Sequence, residues 1–165
     1  MKLFLLVACL QGLAIAGDEF IFHHKRGLPK WERVSHPFDT MMVILCLSFL
    51  YFVDRTPLTE GIYYVLAAIS CLGVTKDEWV HRKYCSAEEM WLHGVLFIMH
   101  PLVLFTAMAG WESARPAILL VACLVCGFFL YEVIYWNVVR VRLEKRARDL
   151  RRPIEESELY EYFGE

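Results

Sequence analysis

Apolar residues gather in five stretches along the chain, Leu3–Ala16, Met41–Val53, Ile62–Val74, Met90–Trp111 and Ala117–Trp136. The last two are long enough to form helices that cross a bilayer, which takes roughly 20 residues. The first three stop at 13 or 14 residues. Each of these short runs adjoins a polar segment rich in Glu and His that continues the same helix. The pattern then predicts helix 1 running to about His24, helix 2 from about Pro29, helix 3 to about Arg82, helix 4 from about Ser86 and a fifth helix from about Pro116 into a basic tail. Pro29 suits a first helical position and Ser86 an N-cap, while Pro57 and Pro116 mark turns at the opposite end.

The polar segments echo one another. Asp18-Glu19-Phe20 recurs as Asp77-Glu78-Trp79, and Glu32-Arg33-Val34-Ser35-His36 as Glu89-Met90-Trp91-Leu92-His93, at offsets of 59 and 57 residues. Each unit reads as apolar helix, Glu/His helix end, basic turn, Glu-x-x-x-His helix start and apolar helix. The expected fold is therefore all-α, an integral membrane helical bundle. Two repeated helical hairpins form a four-helix bundle, joined by a fifth, C-terminal helix. Residues 1–152 make the bundle, with the repeat at about 3–53 and 62–111 and the fifth helix from about 116, and 153–165 are an acidic tail.

Composition supports a bilayer setting, since hydrophobic residues make up 58 % and mean hydropathy is +0.41, against roughly 45–50 % apolar residues in soluble domains. Lys2, the apolar Leu3–Ala16 and Ala14-Ile15-Ala16 have the cast of a signal sequence, but the repeat gives this segment a counterpart, so it is read as a retained helix. The net charge of −2 and the position of the basic run Arg140–Arg152, just after an apolar span, mark a cytoplasmic anchor rather than a nucleic-acid surface. Lys25, Arg26, Lys30 and Arg33 flank one Glu/His turn and Lys76, Arg82 and Lys83 the other. The positive-inside rule then puts the N-terminus outside and both turns, with the C-terminus, in the cytoplasm, at the plasma membrane (the inner one if the source is bacterial). Five of the six cysteines lie in apolar runs and read as small buried hydrophobes; Cys85 alone sits in a polar stretch. Trp31, Trp79, Trp91 and Trp136 read as an interfacial belt.

The candidate chemistry lies in four pairs at helical spacing, Glu19/His23, Glu32/His36, Glu78/His81 and Glu89/His93, which an up-and-down bundle brings to one membrane edge. Glu and His at helix ends also serve as caps and interfacial groups, and Ser86-x-x-Glu89 is itself a capping-box pattern; four pairs related by a repeat point instead to a metal site. His24, Asp39 and His100 are possible additional or supporting groups, and Glu132 has no visible partner. The set resembles the ligand pattern of di-iron carboxylate four-helix-bundle proteins, in which Glu-x-x-His motifs and single Glu residues hold two ions. The steps here are i,i+4 except at Glu78/His81, and the histidine count is closer to that of membrane desaturases and hydroxylases, whose His-box spacings are absent. The resemblance implies two metal ions, iron first, with manganese or zinc as substitutes and haem less suited. The expected partners are membrane lipids and a hydrophobic small-molecule substrate, and no nucleic acid. The implied activity is a di-metal oxidoreductase acting on a lipid, fatty-acyl chain or quinone. Metal transport or storage, and a haem-binding or structural subunit of a respiratory or photosynthetic complex, are the alternatives.

Overall fold

A computed structural model describes residues 1–76 and 78–149; Asp77 and residues 150–165, with the end of the basic run and the acidic tail, lie outside the described residues. Among the described residues there is helix and no strand. We number the helices α1 (Lys2–Arg26), α2 (Glu32–Phe52), α3 (Pro57–Gly73), α4 (Glu78–Tyr84), α5 (Ala87–Ala109) and α6 (Arg115–Asp149). Helices α3 and α4 belong to one segment, Pro57–Tyr84, and five segments in all are long and apolar enough to cross a membrane. Their apolar side chains are largely on the outside: Leu13, Leu72, Phe105 and Leu124 are all more than half exposed. An apolar exterior of this extent is what a lipid environment favours and water does not.

The ends of the helices follow local chemistry. Thr56 caps α3 in a reciprocal box with Thr59, ahead of Pro57. At α5, Ser86 accepts from the Glu89 backbone N–H at 3.3 Å, so Ser86 is the cap expected. Helix α1 is stopped by Gly27, whose φ of 78° is open to glycine and strained for other residues. Helix α2 runs from Glu32, after a turn at Lys30 and Trp31, and the Pro29 carbonyl accepts from the Arg33 N–H at 3.1 Å, a helix-type bond that puts Pro29 at the entry to the helix.

The packing departs from two self-contained hairpins. Helix α1 packs chiefly on α5 and α2 chiefly on α6, while α3 lies against α2 and α5. The fifth apolar segment is thus a structural partner of α2 rather than an appendage. The tightest apolar core joins Phe4 of α1, Leu47 and Leu50 of α2, Tyr63 of α3, Leu104 of α5 and Ile118 of α6. It is pinned by Trp111, whose indole N–H donates to the Val53 carbonyl at 2.9 Å, and by the Tyr63 hydroxyl, which donates to the Leu104 carbonyl at 2.8 Å. Each of α1, α2 and α5 has its Glu/His segment at the other end from this core.

A proline creates one of the inter-helix ties. Pro37, inside α2, has no N–H to offer the carbonyl of Arg33 four residues back. The Asn137 side-chain amide of α6 donates to that carbonyl instead, at 3.1 Å. Replacing Asn137 by Leu is expected to lower stability by about 0.5–1.5 kcal/mol, the ordinary net worth of one hydrogen bond at an exposed position. In a Pro37→Ala background, where the helix supplies its own N–H, the same replacement should cost less. Equal costs in the two backgrounds, measured by thermal unfolding in detergent, would contradict this tie.

Candidate metal centre

The site is built at the junction of four helix ends, and its geometry depends on a departure from α-helix. Asp18–His23 is a π-helical stretch of α1, closed by the bond from the His24 N–H to the Glu19 carbonyl five residues back. In an α-helix residues five apart point about 140° away from each other. The wider π turn brings them to one face. Asp18 and His23 consequently meet, with His23 Nε2 3.2 Å from Asp18 Oδ2, while Glu19 still reaches His23 Nδ1 at 3.0 Å. One extra residue in this turn also explains part of the change in repeat offset: His23 stands where a regular helix would have carried Phe22.

Helix α6 carries a second π-helical stretch, Tyr135–Val139, and the long side chains of Tyr131, in the α-helical turn before it, and Trp136 reach one atom. The Tyr131 hydroxyl and the Trp136 indole N–H both donate to Glu19 Oε1 at 2.7 Å. Trp136 is therefore not an interfacial belt residue; it is 1 % exposed and its polar edge is committed to Glu19. Trp31, Trp79 and Trp91 are half or more exposed, as a belt requires.

Glu19 accepts from three donors, and its bond from His23 Nδ1 leaves Nε2 as the free nitrogen facing the cluster. Such carboxylate–histidine pairing fixes the tautomer of a metal-binding imidazole. Around His23 the other rings close a circuit. Ring centroids lie 4.9 Å apart for His23 and His36, 6.2 Å for His36 and His81, 4.3 Å for His81 and His93, and 6.4 Å for His93 and His23. His93 Nε2 is 3.2 Å from both oxygens of Asp18. Three groups of side chains have ligand atoms within 4.8 Å of one another: Asp18, His23, Glu89 and His93; His23, Glu32 and His36; and His81, Cys85 and His93. Neighbouring ligands on one transition-metal ion are about 3–4 Å apart, so small side-chain adjustments would close such groups on a cation. Buried atoms His23 Nε2, His36 Nε2, His93 Nδ1 and Glu32 Oε1 have no hydrogen-bond partner among the described residues.

Arg26 supplies positive charge at the centre. Its guanidinium lies 2.8 Å from Glu89 Oε1 and 2.9 Å from Glu32 Oε2, joining the two repeat-related glutamates. Glu89 is thus no simple cap: its backbone uses Ser86 while its side chain turns inward to Arg26 and His23. Cys85, between α4 and α5, is pushed up to about 12 by burial, which outweighs the opposing Arg26 guanidinium, so the sulfur is a thiol.

Of the residues expected from the sequence, His23, Glu32, His36, His81, Glu89 and His93 fall in the candidate groups. Glu19 does not, because its oxygens are taken by His23, Tyr131 and Trp136, which makes it a positioning group. Glu78 also stands outside them, and its Oε2 has no hydrogen-bond partner among the described residues. His24 turns the other way, donating to the Tyr131 hydroxyl at 2.6 Å and stacking on Tyr135. Asp39 pairs with Lys76 at 2.5 Å, and His100 Nε2 bonds Ser70 Oγ at 2.9 Å. Asp18, Cys85, Arg26, Tyr131 and Trp136 are the residues that sequence spacing did not single out. Asp18 heads the repeated Asp-Glu pair, but α-helical spacing turns it away from His23. Glu132, which shows no partner in the sequence, lies near the Thr40 side chain, and its Oε2 has no hydrogen-bond partner among the described residues.

Beneath the cluster a cavity of about 530 Å³ runs between the helices, lined mainly by apolar side chains such as Ile15, Val43, Leu96, Leu124 and Phe128, and reached by Asp18, His23, His36, His81 and His93. No protein-family model, curated protein or solved structure matches the chain.

Removing the guanidinium tests the charge balance. Arg26→Leu leaves Glu32 and Glu89 buried without it and is expected to destabilise the metal-free protein by about 3–5 kcal/mol. Added divalent metal should then raise the melting temperature of this variant more than that of the unaltered protein. An equal or smaller rise would show that the two glutamates do not face a cation-accepting site.

Proposed function

We propose that the chain is an integral membrane oxidoreductase with a di-metal centre, iron by preference, that oxidises a hydrophobic substrate drawn from the bilayer. The observation that carries this reading is the meeting of buried imidazole and carboxylate ligands with the polar end of a largely apolar cavity. A ring nitrogen serves one ion, so His23 and His93 cannot complete every group at once. The side chains divide most simply into Asp18, Glu89 and His93 for one ion and Glu32 and His36 for a second, with His23 and His81 completing the two sets. Carboxylate oxygens neutralise hard cations and imidazoles complete the shell, a mixture that suits iron or manganese and accepts zinc. Bound ions of this kind would supply Lewis acidity and, for iron, one-electron chemistry with dioxygen as electron acceptor.

The chain's own residues would then have distinct tasks. Glu19 orients His23, Tyr131 and Trp136 hold Glu19, and Arg26 balances Glu32 and Glu89 until cations arrive. The apolar walls exclude water from the reacting end and offer the substrate an environment like the lipid it leaves. An ion-transport role would require a polar path, and the apolar lining of the cavity speaks against one. The basic turns and basic C-terminal segment support an outside N-terminus and a cytoplasmic site.

Oxygen uptake provides the test. Protein purified without metal and reloaded with ferrous iron is expected to consume dioxygen faster when a total lipid extract is supplied, and chelation should abolish the increase. Asp18→Asn and Glu89→Gln should lower the rate at least about tenfold, whereas Glu78→Gln should stay within about twofold. Lipid-stimulated uptake that survives chelation, or that ignores Asp18 and Glu89, would sink the proposal.

A further inference from the structure

One candidate ligand differs in kind from the rest. Cys85 offers sulfur where the other members of the three groups offer oxygen or nitrogen. Its place follows from helix geometry. The Cys85 N–H donates to the His81 carbonyl at 2.9 Å, a helical turn that carries α4 on past Tyr84, and residues four apart in such a turn share a face. Helix α5 sets His93 against that face, its ring centroid 4.3 Å from that of His81. The sulfur and one nitrogen of each ring lie within 4.8 Å of one another, and the two histidines are 5 % and 3 % exposed. The thiol also lies beside Glu89, whose side chain turns inward. Asp18 faces His93 Nε2 with both oxygens at 3.2 Å, so this nitrogen carries the proton in the neutral ring. Nδ1 then holds the lone pair, and it has no hydrogen-bond partner among the described residues. A buried nitrogen in that state wants a partner, and beside a thiol and a second imidazole a cation serves all three.

We propose that His81, Cys85 and His93 form a site for a thiophilic cation, zinc by preference, and that zinc held there displaces one of the two harder ions. The donor set decides the class of metal. Sulfur is a soft ligand that suits zinc, whereas manganese favours carboxylate oxygens and gains little from it. Three protein ligands leave the fourth tetrahedral position for water, and zinc bonds of about 2.0–2.3 Å are within reach of small side-chain movements. As the bond to sulfur forms, the thiol proton passes to solvent past the half-buried Cys85. Asp18 takes on a new task, holding the His93 ring by its N–H rather than sharing an ion with it. A neutral imidazole has one lone-pair nitrogen, so His81 and His93 cannot serve zinc and the harder ions together. The displacement rests on the dinuclear reading; the zinc site itself does not.

Cobalt(II) serves as the optical stand-in for zinc. Full-length, chelator-treated protein in phosphatidylcholine nanodiscs is expected to show a near-ultraviolet sulfur-to-cobalt charge-transfer band, which added zinc removes. Cys85→Ser should abolish the band, and Cys123→Ser, at an exposed thiol elsewhere, should keep it. Cys85→Ser should also reduce the preference for zinc over manganese at least about tenfold, the least that losing even an outer-shell partner costs. In the unaltered protein, zinc should protect Cys85 from a water-soluble maleimide and manganese should not, so a misfolded variant does not shield the site. A wild-type protein without the band, a band that survives Cys85→Ser, an unchanged metal preference, or equal protection by the two ions would overturn it. One equivalent of zinc should lower subsequent ferrous uptake by about one ion per chain, in keeping with a dinuclear set, and undiminished uptake would overturn the displacement. A thiolate band in a protein that takes up no iron would refute the dinuclear reading alone; iron uptake without the band would refute the zinc site alone.

Discussion

Four carboxyl groups, those of Asp18, Glu19, Glu32 and Glu89, are withdrawn from water at one end of an otherwise apolar bundle, and in such surroundings each must find compensating partners. Much of the structure at that end answers this constraint. Arg26 reaches across to Glu32 and Glu89, three donors converge on Glu19, and Asp18 sits against His23 and His93. The π-helical stretch of α1 adds the rotation that lets Asp18 meet His23. The far end, where Trp111, Tyr63 and Leu50 pack, bears no such burden and is ordinary apolar core.

The broad architecture was legible because it rests on simple periodic signals. Apolar runs, turn-marking prolines and the Ser86 cap located the helices, and the repeated Glu and His residues located the end where they converge. Details that depend on tertiary contact were not legible. Nothing local announces that α1 gains a residue in the turn after Gly17, and Asp18 is lost as soon as regular α-helical spacing is assumed. Trp136 looked like a membrane-interface residue because only the fold reveals Glu19 opposite its indole. Glu19 itself fits the motif of a ligand, yet its three donors give it the role of holding one. The loss of an N–H at Pro37 could be read from sequence; that Asn137, a hundred residues later, replaces it could not.

These positioning effects also bear on function. A ligand cluster alone is compatible with storage, transport or catalysis, whereas its junction with an apolar cavity favours chemistry on a hydrophobic molecule. Gln11 and Glu132, both buried, add polar groups to the wall of that cavity.

The central claim, that the imidazole–carboxylate circuit is a metal site, is tested most directly by elemental analysis of protein purified from cells without chelator. About two equivalents of iron, manganese or zinc per chain are expected, in keeping with the dinuclear ligand pattern. Joint replacement of Glu32 and His36 should remove about one of them, and further replacement of Glu89 and His93 should remove the other. A folded, full-length protein that carries no transition metal, and takes none up from ferrous, manganous or zinc salts, would contradict the account.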